Sequence, residues 1–191
     1  FSNLMCWAGL DRAHRMHKSG FLPSVTLDLD AARARAAQAL LNATKDGSLR
    51  NGPKDDTYDA SLAQAAILGF PNRDVCESTM QSIARALAVQ TGGKETGFYF
   101  RYLRTDDFGR PQSSFVICSF WVVQGLARLG RMTEAQQIMA QVLTGANHLG
   151  LFSEHFVPET RTQLGNFPQA YSHVGLINAA FAVSPSWTTV L

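Results

Sequence analysis

A carboxylate among aromatic residues is the first feature of this sequence that could do chemistry. Glu154 lies in "LFSEHF", between Phe152 and Phe156 and next to His155. Aromatic neighbours exclude water from a carboxyl group, and general acids and bases use such environments. A surface ion pair or a helix cap is the alternative use of this residue, and the local sequence leaves both open.

A second group combines aromatic rings with opposite charges. In "GFYFRYLRTDDFGR", Asp106 and Asp107 stand beside Arg101, Arg104 and Arg110. Sugars offer ring faces on which aromatic side chains stack and hydroxyl groups that charged and amide side chains bind. Cleavage of a glycosidic bond requires two carboxyl groups. The combination is typical of a carbohydrate site.

Other chemistries have little support in the sequence. There is no GxSxG, P-loop or GxGxxG motif, and no HExxH accompanies His14 and His17. The three cysteines, Cys6, Cys76 and Cys118, each lie in an apolar helical pattern, so we expect core thiols and neither disulfides nor a metal site. We expect no metal and no organic cofactor.

Apolar residues recur at helical spacing, which predicts a mostly helical chain. The predicted helices span 2–17, 29–46, 58–69, 73–89, 113–129, 132–146 and 167–183. Segment 113–129 is apolar nearly all round, whereas 132–146 has one apolar stripe. This alternation predicts helical hairpins in two concentric layers, an α/α toroid or solenoid. The long loops 18–28, 47–57, 90–112 and 148–166 are expected to be ordered and functional on one rim.

Two helix starts carry capping signals. Thr133 with Gln136, and Asn166 with Gln169, have the spacing of a capping box, and Pro168 would lie in a first turn. Gly130 should end the helix before position 132.

Composition limits the partners. The 191 residues are 46% hydrophobic and 17% charged with a net charge of +2, which predicts a globular chain. No run of Lys or Arg would follow a phosphate backbone, and the longest apolar stretch is shorter and more polar than the ~20 residues of a membrane span. We expect a soluble protein without nucleic-acid or membrane partners, with the cytoplasm favoured. The first residues enter a helical pattern without an initiator Met or signal peptide, which suggests part of a longer protein.

Four blocks in order resemble glycoside hydrolase family 15, the glucoamylase-like enzymes that include trehalases. They are "FSNLMCWAGLDRA", "YDASLAQAAILGF", "GFYFRYLRTDDFGRPQSSFVICSFWVVQGLARLGRMTEA" and "SEHFVPETRTQLGNFPQAYSHVGLINAA". The resemblance implies an all-α chain that forms the C-terminal half of an (α/α)6 barrel. Residues 1–191 would be a single partial domain. The family pattern has Glu-Gly-Ala where Gln112, Ser113 and Ser114 stand here, and these rim residues bear on substrate choice more than on the fold.

The resemblance also implies roles for individual residues. Glu154 would be the general base that deprotonates water in an inverting hydrolysis. Arg101 would bind hydroxyl groups of the cleaved sugar, and Tyr171 would pack near the base. The remaining substrate-binding candidates are Tyr102, Phe115, His173 and Asp59. Asp59 could equally be a helix cap.

The family's general acid would lie upstream of Phe1, outside this chain. We therefore expect little hydrolysis from the chain alone, and we expect the missing N-terminal half of the same enzyme as its partner. The main functional hypothesis is a glucoamylase-type α-glycosidase acting on an oligosaccharide or disaccharide. A trehalase is the alternative within the family, and a noncatalytic helical scaffold or sugar-binding remnant is the alternative of another class.

Overall fold

Seven α-helices form the frame of the computed structural model, which describes residues 1–22, 24–52, 54–107 and 109–186. They are α1 (Ser2–Lys18), α2 (Leu29–Leu41), α3 (Gln64–Ile67), α4 (Arg73–Leu87), α5 (Val116–Arg128), α6 (Met132–Leu143) and α7 (Ala170–Val183). A 3-10 segment, Ala60–Ala63, leads directly into α3. Each predicted helix has a counterpart, although most are shorter than expected.

Short strands occupy parts of the predicted loops and the ends of three predicted helices, 29–46, 73–89 and 113–129. They are β1 (Thr44–Lys45), β2 (Ser48–Leu49), β3 (Ala88–Thr91), β4 (Lys94–Tyr99), β5 (Ser114–Phe115), β6 (His155–Val157) and β7 (Thr162–Leu164). All pairings are antiparallel: β1 with β2, β3 with β4, and β6 between β5 and β7.

Two of these hairpins correct helix and loop predictions. The predicted helix 29–46 ends at Leu41, because Asp46 and Gly47 take φ values of 51° and 75° and turn the chain from β1 into β2. Gly92 and Gly93, with φ of 57° and 75°, do the same between β3 and β4. Asp-Gly and Gly-Gly are strong signals for two-residue hairpin turns.

The helices pack as hairpins in two layers. α5 contacts both α3 and α7, and we refer to α3, α5 and α7 as the inner layer. α6 packs on α5 and α7, and α4 packs on α3 and the 3-10 segment. The predicted (α/α) arrangement is confirmed.

Burial follows the predicted difference between α5 and α6. α5 is buried nearly all round, whereas α6 buries only Ala135, Ile138, Met139 and Val142, and Leu143 is exposed. Removing an aliphatic or aromatic side chain from water stabilises a fold by roughly 1.5–3 kcal/mol, so this continuous core holds the layers together. Cys76 and Cys118 lie in the core as predicted, but the prediction is wrong for Cys6, which is exposed on α1.

The two predicted capping boxes are wrong. α6 begins one residue before Thr133, at Met132, and the Arg131 guanidinium pairs with Glu134 instead. α7 begins at Ala170 with Gln169 as its cap, so Asn166 and Pro168 precede the helix. Gly130 ends α5 with φ of 80°, as predicted.

None of the helices in the described ranges is long and apolar enough to cross a bilayer.

Candidate active site

The Glu154 backbone lies at the N-terminal end of α5. Its carbonyl oxygen accepts a hydrogen bond from the Val116 N–H (3.0 Å), the first residue of α5. Its carboxylate Oε2 accepts two hydrogen bonds from Asn166, one from the backbone N–H (3.2 Å) and one from the side-chain Nδ2–H (2.9 Å). The residue is partly buried, and its Oε1 accepts no hydrogen bond from the described part of the chain.

The two phenylalanines beside Glu154 in sequence belong to the core. Phe152 packs edge-on against Phe120 at 5.5 Å between ring centroids, and Phe156 packs on Phe98 at 4.7 Å. Both side chains are almost fully buried. The expectation that they would surround the carboxyl group is therefore wrong, because local backbone geometry turns both rings into the core while Glu154 remains partly exposed.

Arg101, Asp59, Trp121 and Tyr171 form a second, continuous cluster. The Arg101 Nε–H donates to Asp59 Oδ1 at 2.6 Å, and the guanidinium lies 5.6 Å from the Trp121 ring centroid. Trp121 in turn meets Tyr171 edge-on at 6.2 Å. Trp121 is buried and Tyr171 is half exposed, so the cluster runs from the core to the surface.

Asp59 is a helix cap, one of the two roles that the sequence left open, and it also pairs with Arg101. Its Oδ1 caps the 3-10 segment by accepting the Ser61 N–H (2.8 Å), and the same atom receives the Arg101 Nε–H. The Ala60 N–H donates to the Arg101 carbonyl oxygen at 2.8 Å. The start of the 3-10 segment and Arg101 are therefore joined by two hydrogen bonds, one to the Arg101 side chain and one to its backbone.

These contacts bring the predicted residues to one end of the inner layer. Trp121, in the second turn of α5, reaches Tyr171 in the first turn of α7 and Arg101 beside the 3-10 segment. The loop of Glu154 is tied to the same end, because the Gln169 N–H donates to Phe152 O (2.9 Å) and Ser172 Oγ donates to Ser153 O (2.8 Å).

Phe115 and His155 stack on each other beside Glu154. Their ring centroids are 5.0 Å apart and the planes differ by 19°. Ser113 Oγ lies 3.3 Å from His155 Nδ1, within hydrogen-bond distance of the imidazole. Phe115, a predicted substrate-binding residue, is thus next to the candidate base but partly covered by the imidazole.

Tyr102 and His173 make mainly local contacts. Tyr102 donates its hydroxyl to Asp106, which raises the pKa of the phenol, and its ring lies under the Arg104 guanidinium at 4.4 Å. His173 donates from Nδ1 to Gln169 O (2.9 Å) and packs on Phe152, and its Nε2 is buried without a partner in the described ranges. Within the described ranges, neither side chain forms a hydrogen bond with Glu154 or with the Arg101 cluster.

Trp121, Gly165 and Asn166 are residues that the sequence did not indicate as parts of the site. Trp121 was hidden among the apolar residues of α5, and Asn166 had been assigned to a helix cap. The Gly-Asn pair just before "FPQ" was the one available signal, since this dipeptide favours positive φ at the glycine. Gly165 has φ of 75°.

No group of three or more His, Cys, Asp or Glu side chains in the described ranges is arranged to hold a metal ion. Burial raises the pKa of the Cys118 thiol well above its usual range, which disfavours the thiolate that a nucleophile or metal ligand requires. The side chains present can hold a carboxylate and bind hydroxyl groups.

Comparison with known proteins identifies the relatives of this arrangement. The profile of glycosyl hydrolases family 15 matches residues 129–181, the part that holds Glu154, Asn166 and Tyr171. A trehalase of Mycolicibacterium smegmatis is 33% identical over 187 residues, which cover 95% of this chain and 27% of the relative. A trehalase of Thermoplasma volcanium is 31% identical over 194 residues, covering 94% of this chain and 29% of the relative.

Solved structures agree on the fold. A wild-type glycosidase superposes with a TM-score of 0.66 at 20% identity, over 81% of this chain and 44% of its own. A glycosidase variant in complex with glucose superposes with a TM-score of 0.67 over the same shares. The chain spans 27% to 29% of the length of the two curated relatives described above.

Proposed function

Because this chain belongs to glycosyl hydrolases family 15, we propose that it supplies the general base and part of the sugar site of an enzyme that hydrolyses trehalose. The observation that carries this proposal is the placement of Glu154. Its carboxylate is anchored through one oxygen, and its loop is joined to the end of the inner layer where Arg101, Trp121 and Tyr171 meet. The names of the relatives favour trehalose over the glucoamylase-type substrates that we first expected.

The proposed reaction is a direct displacement by water. Glu154 takes a proton from the water as its oxygen bonds to the anomeric carbon, and a second carboxyl group protonates the departing glycosidic oxygen. Because the water attacks from the face opposite the leaving group, the configuration at the attacked carbon inverts. We assign the second carboxyl group to a segment outside these 191 residues.

Arg101 and Tyr171 are proposed to bind the sugar. Asp59 engages only Nε of Arg101, and the two terminal nitrogens have no hydrogen-bond partner in the described ranges. Those N–H groups can donate to vicinal hydroxyl groups, as a planar guanidinium does well. The half-exposed ring of Tyr171 offers a face for the apolar side of a pyranose.

The exposed side of α7 supports a partner segment. Tyr171, Val174 and Ile177 are 50%, 51% and 53% exposed and follow helical spacing, although α7 belongs to the inner layer. A contiguous apolar stripe on an exposed helix marks an interaction surface. We propose that the rest of the enzyme, which in the relatives makes up the larger part of the chain, covers Val174 and Ile177, while Tyr171, at the N-terminal end of the stripe, stays open to the sugar.

Product analysis tests the substrate and the stereochemistry together. The protein that carries this chain with its acid-bearing segment should release glucose from trehalose faster than from maltose or maltotetraose. Proton NMR in the first minutes should show α- and β-glucose in equal amounts, because inversion occurs only at the attacked carbon of the symmetric disaccharide.

The other outcomes separate the alternatives. Two α-glucose molecules per trehalose would exclude inversion. Faster release from maltose or maltotetraose would favour the glucoamylase type. No release from any of them, with the protein folded, would favour a noncatalytic scaffold.

A further inference from the structure

Glu154 and Asn166 are joined by three hydrogen bonds, although they are twelve residues apart. The Glu154 N–H donates to Asn166 O (3.0 Å), and the Asn166 backbone N–H and Nδ2–H both donate to Oε2 of Glu154. Hydrogen bonds to a charged acceptor are stronger than those between neutral groups. The pair therefore fixes one end of the carboxylate while Oε1 stays uncommitted.

Gly165 allows this close approach. Its φ is 75°, and a Cβ at this position would lie 2.9 Å from Oε2 and 3.0 Å from Cβ of Glu154. A side chain here would meet both the backbone strain of the left-handed region and the carboxylate itself. The Gly165-Asn166 backbone is thus shaped around the Glu154 side chain.

The Gly165-Asn166 segment, which we call the clamp, is anchored to regular structure at both ends. β7 ends at Leu164, directly before Gly165, and pairs with β6, where His155 lies opposite Leu164. On the other side, Gln169 and Ser172 bond to the backbone of Phe152 and Ser153. Asn166 therefore holds its position relative to Glu154 through the sheet and through α7.

We propose that Asn166 is the positioning residue for the general base: it holds Oε2 with two N–H groups so that Oε1 is the oxygen that receives the proton from water. This inference rests on the proposed role of Glu154 in hydrolysis. The proton moves from the attacking water to Oε1, the water oxygen bonds to the anomeric carbon, and the glycosidic carbon–oxygen bond breaks as the leaving oxygen is protonated.

Substitution of Asn166 tests the proposal in the protein that carries the complete site. Asn166→Ala should lower kcat for trehalose by ~10- to 100-fold while KM changes by less than about threefold, because a misaligned base affects the transition state more than substrate binding. Asn166→Asp, which is isosteric but places a carboxylate against Oε2, should lower kcat further.

A double-mutant cycle separates positioning from a general structural role. In a Glu154→Gln background, Asn166→Ala should cause little further loss of the residual turnover, because the group it acts through has already lost its function. An equal loss in both backgrounds would overturn the proposal.

Gly165→Ala should also lower kcat by roughly 100-fold, since it displaces the carboxylate. Gly150→Ala is the matched control, because Gly150 has nearly the same φ (77°) but a Cβ there meets nothing within 4 Å. Similar losses in the two variants would show that backbone strain, and not contact with Glu154, is responsible, which would contradict the proposal.

The two levels of the hypothesis fail differently. If Glu154→Gln retains normal turnover, the proposed function fails and the inference fails with it. If Glu154→Gln is inactive but Asn166→Ala is normal, only the inference fails.

Should a substituted protein not fold, NMR of the Glu154→Ala variant still decides: both Asn166 amide proton resonances should move upfield, and unchanged shifts would overturn the clamp.

Discussion

Two carboxylates near the ends of inner-layer helices are held in different ways. Asp59 is buried, with 6% of its side chain exposed, and it pairs with a cation, Arg101, at 2.6 Å. Glu154 is partly exposed, is held by the N–H groups of Asn166, and forms no ion pair within the described part of the chain. Both anchor through a single oxygen, but only Asp59 has its charge neutralised.

The difference separates a buried carboxylate paired with a cation from the partly exposed one that we propose as the general base. A buried carboxylate that caps a helix and pairs with arginine has little access to solvent, and its role is to hold the fold. The neutral donors of Asn166 orient the Glu154 carboxylate through one oxygen and leave Oε1 without a hydrogen bond from the described part of the chain. Substitutions at the two positions should therefore change different properties.

The largest expected effect is on activity at Glu154. Glu154→Gln should lower kcat by about 10³-fold, because the amide cannot accept the proton. A general base alone contributes a factor of that order to the rate. The free energy of unfolding should change by less than about 1 kcal/mol, because the amide oxygen can still accept from Asn166. Trehalose hydrolysis and urea unfolding measure the two quantities, and a large loss of stability would contradict the distinction.

Asp59→Ala should act mainly on stability. We expect a loss of about 2 kcal/mol, from the helix cap at Ser61 and the partly exposed pair with Arg101, whose side chain is 33% exposed. Thermal or urea unfolding measures this loss. Asp56→Ala is the control, because Asp56 pairs with Lys45 at the surface and its loss should cost less than about 0.5 kcal/mol. Equal losses in the two variants would argue against a structural role for Asp59.

The smallest effect concerns a third carboxylate, Asp55, which is also held mainly by neutral donors. Hydrogen bonds from the Thr57 hydroxyl, the Asn51 amide and the Thr57 N–H lower the pKa of Asp55 from 3.8 to about 2. Because the folded-state pKa is lowered, the stabilisation is present above about pH 4 and is lost as the pH falls through about 2. The wild type should therefore lose slightly more stability than Asp55→Asn between these pH values, as measured by the urea midpoint. Parallel curves for the two proteins would contradict this expectation.

The helices were predictable because their signals are local. Apolar residues at helical spacing located α1, α4, α5, α6 and α7, and the contrast between α5 and α6 predicted the two layers. The hairpins β1–β2 and β3–β4 were missed although Asp-Gly and Gly-Gly mark both turns. The apolar pattern of residues 29–46 outweighed a turn signal that should have ended the helix.

The candidate site was predictable only in part. Glu154, Arg101 and Asp59 were indicated by their residue types and by the family resemblance, and the structure joins Arg101 to Asp59 across 42 positions. Asn166 was assigned to a helix cap because its spacing from Gln169 fits one. Its hydrogen bonds to Glu154 depend on the φ of Gly165 and on the β6–β7 pairing. Neither can be predicted from the spacing of apolar residues.

The sequence alone thus determined that this chain forms layered helices with a carboxylate in an aromatic loop, because helix periodicity and burial depend on neighbours within one or two turns. Only the tertiary structure decided which carboxylate pairs with a cation and which is held by neutral donors. That outcome depends on contacts between distant segments: Arg101 with Asp59 and Trp121, and Asn166 with Glu154. Their geometry follows from how α5, α7 and the short strands pack. It also depends on Gly165, whose left-handed conformation allows its backbone to lie against the Glu154 side chain.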